Sequence, residues 1–341
     1  MTQPIISRKL PLQHTLLDVA KTTQQNTLKA IDLFAGIGGI RLGFTQAFGE
    51  EIEFVFSSEI DKYACQTYAA NFGDIPHGDI TQIDEKDIPK HDIILAGFPC
   101  QAFSIAGKRL GFEDMRGTLF FDVARIIKYH KPKVVFLENV KGFVNHDKGN
   151  TFKVVKETLE ELGYKVYAEV LNAKDFGVPQ NRERIYIIGF LDETIEFEFP
   201  KSFKLKTKIR DILDDKVETK YYYNGKPLFD RVKDDIVDEN SIYQWRRQYV
   251  RENKSGVCPT LTANMGTGGH NVPIVKDKNG IRKLTPRECA NFQGFPKHFI
   301  LPTNLVDSQL YKQCGNSVVV GVIEKIAKNI KCHIKDLSNV L

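Results

Sequence analysis

An α/β fold, built on a doubly wound and largely parallel sheet with a smaller, mostly β region attached, is predicted by three features of the sequence. Apolar runs of strand length alternate with helix-length segments from residue 28 to residue 190, as successive βα units do. The first apolar run ends in the glycine-rich turn Ala35-Gly36-Ile37-Gly38-Gly39, ahead of a helix-forming stretch. The alternation then stops. Residues 195–281 hold short β-like runs, many lysines, the run Tyr221-Tyr222-Tyr223 and glycine loops.

Composition bounds the answer. A chain of 341 residues, 42% hydrophobic and 27% charged, can bury a large core and stay soluble. No apolar run reaches the roughly 18 residues of a membrane span, so no membrane partner is expected. The six cysteines (65, 100, 258, 289, 314 and 332) include no Cys-x-x-Cys pair. That argues against a zinc site, or any metal, and against a disulfide framework; it fits a reducing cytoplasm. A net charge of +5 permits a polyanionic partner. Residues 1–27 read as a polar surface extension, weakly helical at 12–19, without a secretory apolar segment.

Taken in order, residues 28–34 form the first strand and 40–48 the first helix. The glycines between them let backbone approach a ligand. A second strand, 53–58, ends at Glu59-Ile60-Asp61. An acid about 20 residues past such a turn can hold a ribose diol. The spacing does not separate a nicotinamide dinucleotide from S-adenosylmethionine, although the turn lacks the full G-x-G-x-x-G. Residues 62–72 are helical, with Cys65 in the core. A short third strand ends at Gly78-Asp79-Ile80, placing Asp79 on the same sheet edge.

The next strand, 91–95, runs into Ala96-Gly97-Phe98-Pro99-Cys100-Gln101-Ala102-Phe103-Ser104. Cys100 therefore sits where a strand gives way to a loop, the edge at which parallel sheets collect ligands. Pro99 stiffens the approach, and a polar loop carrying Lys108, Arg109 and Arg116 follows. A helix at 118–129 leads to a strand at 133–140, whose end brings Glu138 to the same edge. A helix at 151–162 and strands at 164–172 and 184–190 complete this part. Between those strands lies Gln180-Asn181-Arg182-Glu183-Arg184, which by itself resembles a surface salt-bridge cluster.

A boundary is expected near Pro200. Beyond it, 243–251 interleaves Tyr243, Trp245 and Tyr249 with Arg246, Arg247 and Arg251 at strand spacing, and 264–271 is a polar glycine loop containing Thr267 and Asn271. Basic groups hold phosphates and polar side chains read base edges. Regular structure resumes at 282, with Pro286 in the first turn of a helix. Gln313-Cys314-Gly315-Asn316-Ser317-Val318 precedes a last helix, ending near 330, which returns to complete the first region.

The set Asp32–Gly39, Phe98–Gln101, Glu138-Asn139-Val140, Gln180–Arg184 and Gly315–Val318 resembles, in order and spacing, the motifs of bacterial DNA (cytosine-5)-methyltransferases of the type II restriction-modification kind. The match spans about 28–200 and 280–330. The resemblance implies a Rossmann-like S-adenosylmethionine-dependent catalytic domain formed by 1–200 and 305–341, with a target-recognition domain and hinge at 201–304. It implies that Phe34, Gly36, Ile37 and Gly39 receive S-adenosylmethionine, with Glu59 on the ribose and Asp79 and Ile80 on adenine. Pro99, Leu119, Asn316 and Val318 complete that pocket. Many members carry an aromatic where Ile60 stands, so the packing on adenine differs here.

The implied chemistry is Cys100 thiolate addition to cytosine C6, with Glu138 at N3, Arg184 at O2 and Arg182 in support. The target cytosine must be flipped out of the duplex. Gln101, Ser104, Lys108, Arg109, Arg246, Arg247, Arg251, Thr267 and Asn271 are the candidate contacts to double-stranded DNA. The protein is expected to be a monomer of the bacterial cytoplasm; the sequence leaves open whether a cognate endonuclease exists, and contact with one is not needed. Segment 243–275 looks like that of members reading GC-rich sites such as GGNCC or GGWCC. Rival readings are a tRNA cytosine-5 methyltransferase, a nicotinamide oxidoreductase with Cys100 as redox thiol, and an inactive DNA-binding module; intact Cys100, Glu138 and Arg184 argue against the last.

Overall fold

The computed structural model describes residues 27–99, 119–267 and 271–335. The extension at 1–26, Cys100, Gln101, Ser104, Lys108 and Arg109 with their loop, and residues 268–270 lie outside the described residues.

The first region alternates β1 (Leu28–Leu33), α1 (Gly39–Phe48), β2 (Ile52–Ser58), α2 (Lys62–Phe72), β3 (Ile93–Ala96), α3 (Leu119–His130), β4 (Val134–Val140), α4 (Asn150–Glu161), β5 (Lys165–Asn172) and β6 (Glu183–Phe190). The sheet order is β2-β1-β3-β4-β6-β5. The first four strands are mutually parallel, while β6 runs antiparallel to both β4 and β5. Strands covered on both faces must be apolar at every position, and β3 and most of β4 are fully buried. Alternate residues serve opposite layers. Ile93, Leu95, Val134 and Phe136 pack with α1 and the last helix. Ile94, Ala96, Val135 and Leu137 pack with α3 and α4.

Two expectations for this region need correction. No strand forms at 78–80: a single bridge, Ser58 to His77, is all that adds to the sheet there. Asp79 instead accepts from Thr81 N and starts the short 3-10 turn Ile80–Gln82, so the backbone turns away before it can pair. Cys65 is only half-buried, its thiol donating to the Glu59 carbonyl at 3.4 Å.

A second, antiparallel sheet has the order β10-β9-β7-β8, from β7 (Tyr243–Trp245), β8 (Val250–Glu252), β9 (Ile274–Asp277) and β10 (Gly280–Lys283), after a single helical turn, α5 (Phe229–Val232). The run 243–251 is therefore a hairpin rather than one strand. Arg247 turns it with a left-handed φ of 67°, a conformation that no glycine in the sequence announces. Helix α6 (Pro286–Phe292) opens with a capping box between Thr285 and Glu288, and Pro286 stands in its first turn as predicted.

Beneath the second sheet, Arg282 is fully buried and forks onto Glu288, 2.8 Å to each carboxylate oxygen, and onto Asp277 at 2.6 Å. Helices α7 (Asp307–Asn316) and α8 (Val320–Lys335) close the chain. Helix α8 returns to the first region as expected. It packs so tightly on α1 that a Cβ at Gly43 would lie 2.6 Å from Ile323.

Candidate active site

The parallel strands end along one edge of the sheet, and the residues that follow them line a single cleft of about 540 Å³. Strand β1 delivers Phe34, Gly36 and Ile37 to it, and Gly39 opens α1 there. Phe34 itself holds a left-handed φ of 55°, a strain of roughly 1–3 kcal/mol that clusters at functional turns. Two of the turn's glycines admit no side chain. A Cβ at Gly38 would lie 2.1 Å from the Phe72 ring, and one at Gly39 would lie 2.8 Å from Ser317 and Val318.

Strand β2 delivers Glu59 and Ile60. Glu59 accepts from Gly36 N at 2.7 Å and from Asp61 N at 2.8 Å, so its carboxylate is fixed against the glycine turn. Ile60 is 74% exposed at the rim. Asp79, Ile80, Pro99, Leu119, Asn316 and Val318 line the same cleft. The cofactor-site residues expected from sequence are thus brought together without exception.

Strand β4 and the antiparallel β6 supply the polar end. Glu138 pairs across the ladder with Tyr186, and Val140 with Arg184. Glu138 and Arg184 are therefore diagonal neighbours on one face, and the Arg184 guanidinium meets the carboxylate at 3.0 Å. Burial raises the Glu138 pKa above the ordinary carboxylate range, against the pull of Arg184 and Arg182. Gly97 leaves room beside the pair: a Cβ there would lie 3.5 Å from Glu138 Oε2.

Arg182, expected in support of the catalytic groups, lines the same cleft. It is 3% exposed and donates to three backbone carbonyls: Leu261 at 2.7 Å, Gly315 at 3.1 Å and Ser317. Burial, and then the neighbouring Arg184, lower its pKa to about 9. The reading of 180–184 as a surface salt-bridge cluster holds only for Glu183, which pairs with Lys141 at 2.8 Å, since the ion pair of Arg184 is with the buried Glu138.

Sequence reasoning missed several groups. Asn139 donates to Phe98 O at 2.8 Å and so joins the ends of β3 and β4 just before Pro99. Gln313 and Lys312 line the cleft and bind α2, through Thr67 at 2.8 Å and Asp61 at 2.7 Å. Asp32, fully buried in β1, has its pKa raised by burial to about 7, with Arg41 opposing the shift. Asn139 and Asp32 lay inside the motifs already singled out, so the signal was present but unassigned.

A second cleft of about 430 Å³ is lined by Asn181, Gln244, Arg246, Arg251, Asn253, Ser255, Pro259, Thr260, Thr262, Asn264 and Asn271. It gathers three of the expected nucleic-acid contacts: Arg246, Arg251 and Asn271. It does not gather two others. Arg247 sits exposed on the hairpin turn, and Thr267 is exposed on a 3-10 turn with its hydroxyl donating to Asn264 O. Among the described residues no group of three or more His, Cys, Asp and Glu is arranged to hold a metal ion. No helix among them is long and apolar enough to cross a membrane.

Residues 28–332 match the family described as C-5 cytosine-specific DNA methylase. The chain is 54% identical over 312 residues to the type II methyltransferase M.Bsp6I of Bacillus sp. (strain RFL6), covering 89% of this chain and 98% of that one. It is 48% identical over 330 residues to the type II methyltransferase M.HhaI of Haemophilus parahaemolyticus, covering 91% and 96%. The crystal structure of the S. pombe Dnmt2 methyltransferase shares its fold with a TM-score of 0.72, over 91% of this chain and 99% of that one, at 21% identity.

Proposed function

The chain belongs to the family of C-5 cytosine-specific DNA methylases, and from that premise we propose that the first cleft receives S-adenosylmethionine together with a flipped-out cytosine. The activity itself is site-specific methylation of DNA at cytosine C5. With relatives this similar, the tRNA and nicotinamide readings are set aside. The observation that carries the proposal is the convergence of the glycine turn, Glu59, Pro99 and the buried Glu138–Arg184 pair on one cleft.

The residues present fit the cofactor. At Gly36, which lines the cleft, a Cβ would meet nothing within 4 Å, so the turn leaves space there for a ligand's polar chain. Glu59, oriented by two backbone amides, retains acceptor capacity for ribose hydroxyls. Asp79 and Ile80 lie on the adenine side, with Ile60 supplying an aliphatic rather than an aromatic lid. When bound, S-adenosylmethionine supplies an electrophilic methyl group.

The chain's own residues make cytosine able to accept it. The Cys100 thiolate forms a bond to C6, and the ring electron pair is driven toward C5. Glu138, whose pKa burial raises against the pull of Arg184, delivers a proton to N3 as that charge develops. Arg184 donates to O2. After methylation the C5 proton passes to solvent water, the electron pair it leaves expels the Cys100 thiolate from C6, and the N3 proton returns to Glu138 as aromaticity is restored.

We assign 1–200 and 305–341 to the catalytic part and 201–304 to target recognition, with the second cleft facing double-stranded DNA. Restriction-modification is the setting we assign, with the protein acting as a monomer in the cytoplasm.

The test is a duplex carrying 5-fluorocytosine at the target. Fluorine cannot leave as a proton, so elimination stalls after methyl transfer. A covalent adduct that needs S-adenosylmethionine and maps to the peptide containing Cys100 is expected, and Cys100→Ser should form none. An adduct through another cysteine overturns the scheme.

A further inference from the structure

The segment 180–182 is laced along its length to the wall of the second cleft. Gln180 and Cys258 form a parallel bridge, Cys258 N donates to Pro179 O at 2.7 Å, and Asn181 N donates to Cys258 O at 2.8 Å. Thr260 Oγ1 donates to Asn181 O at 2.6 Å, and Leu261 N donates to Gln180 Oε1 at 3.3 Å. Arg182 closes the seam on Leu261 O and carries it on to Gly315 O and Ser317 O. The seam has two working ends. Thr260 and Thr262 flank Leu261 and line the second cleft. Arg184, two residues past Arg182 and in the strand β6 that begins at Glu183, holds Glu138.

A guanidinium presents its donors in a rigid planar fork. With three carbonyls seated on that fork, one cannot shift without loosening the others, and a buried cation stripped of its acceptors is costly. The neighbouring arginine adds to the cost, because the charge on Arg184 already disfavours the charge on Arg182. The arrangement therefore tolerates a small set of geometries and rejects intermediate ones. A displacement of Leu261 toward or away from an occupied cleft must be shared with the strand that carries Arg184.

We propose that Arg182 is a positioning residue that locks the Thr260–Thr262 wall of the second cleft to the Arg184–Glu138 pair, so that the fit of DNA in that cleft sets the rate of methyl transfer. This rests on the reading of the second cleft as the DNA-facing one.

A double-mutant cycle tests it: Gln244→Ala in the second cleft, Arg182→Lys in the seam, and the pair. Lysine keeps the charge but cannot reproduce the fork. Single-turnover methylation is measured on the cognate duplex and on single-base variants, with the affinities for DNA and for S-adenosylmethionine determined separately. Arg182→Lys should lower kcat while both affinities stay within about twofold, the usual limit of additivity. Gln244→Ala should cut rate discrimination about tenfold in the wild-type background, as loss of a base contact does, and far less beside Arg182→Lys.

Equal effects in the two backgrounds make Arg182 merely structural and overturn the inference while leaving the cleft reading intact. No effect of Gln244→Ala in either background overturns both. Should Arg182→Lys fail to fold, Thr260→Val removes the exposed Thr260–Asn181 bond of the same seam and takes its place in the cycle. The deviation from additivity should then be smaller and of the same sign, and strict additivity again overturns the inference.

Discussion

The two clefts share a wall at residues 181–184 and are built on opposite plans. In the first, the polar groups are held before any ligand arrives. Glu59 is fixed by two backbone amides and Glu138 by Arg184. In the second, Arg246, Arg251, Asn264 and Asn271 are exposed on a hairpin and loops. Chemistry gains from groups that need no reorganisation as charge develops. Reading a sequence instead requires donors and acceptors left free for base edges. Substitutions in the first cleft should therefore alter rate, and those in the second should alter choice of site.

Glu138→Gln should break the first plan with the largest effect. Proton delivery by a positioned group contributes about 10²–10⁴-fold, so the single-turnover rate should fall by that order while affinity for S-adenosylmethionine is held. The pH dependence gives a second reading. Burial raises the folded pKa, so the carboxyl stays protonated to higher pH than an ordinary glutamate. The wild-type rate should decline as pH rises through that elevated value, and the glutamine variant should lack this limb. An unchanged rate would make Glu138 a structural partner of Arg184 only.

The same contrast explains how far the sequence could be read. Strands β1, β3, β4 and β6 are legible because most of their residues are buried between two layers and are apolar, and helices between them must be one-sided. The glycine turn is legible because Gly38 and Gly39 face contacts that forbid a side chain. The false strand ending at 78–80 arose because so short a stretch does not reveal that Asp79 caps a turn. The hairpin at 243–251 was hidden because Arg247, rather than glycine or asparagine, takes the left-handed position. The seam at Arg182 could not be read at all. Its partners are backbone carbonyls from residues 261, 315 and 317, and carbonyls leave no mark on a sequence.

The scaffold beneath the second cleft is the next place to sharpen the comparison. Glu288→Ala leaves the fully buried Arg282 with Asp277 as its remaining carboxylate partner, and breaking such a pair costs about 3–5 kcal/mol. It also removes the capping-box acceptor for Thr285 N at the start of α6. Thermal unfolding should shift down accordingly, and DNA affinity should suffer more than S-adenosylmethionine affinity. Replacing the pair together, Arg282→Met with Glu288→Leu, should destabilise less than Glu288→Ala alone, because no buried charge is left uncompensated. If the double variant were the worse of the two, the triad would be contributing net stability rather than only avoiding a penalty.

The smallest effects should separate the three hairpin arginines, and geometry now divides them. Arg246 and Arg251 line the second cleft, with Arg246 donating to Gln244 Oε1 at 3.1 Å; Arg247 stands outside it on the turn. An arginine reading guanine is worth about 1–3 kcal/mol of discrimination. A phosphate contact weakens all sequences alike and lowers the salt slope by about 1. Arg246→Ala and Arg251→Ala should therefore relax choice at particular base pairs, with salt dependence nearly kept. Arg247→Ala should reduce the slope and leave discrimination alone. Its left-handed backbone adds a control, since Arg247→Gly removes the same side chain without the strain of a Cβ at φ 67°. Methylation of the cognate site and its single-base variants over a salt series distinguishes these outcomes. Discrimination lost at Arg247 but kept at Arg246 and Arg251 would move the reading surface from the cleft to the tip of the hairpin.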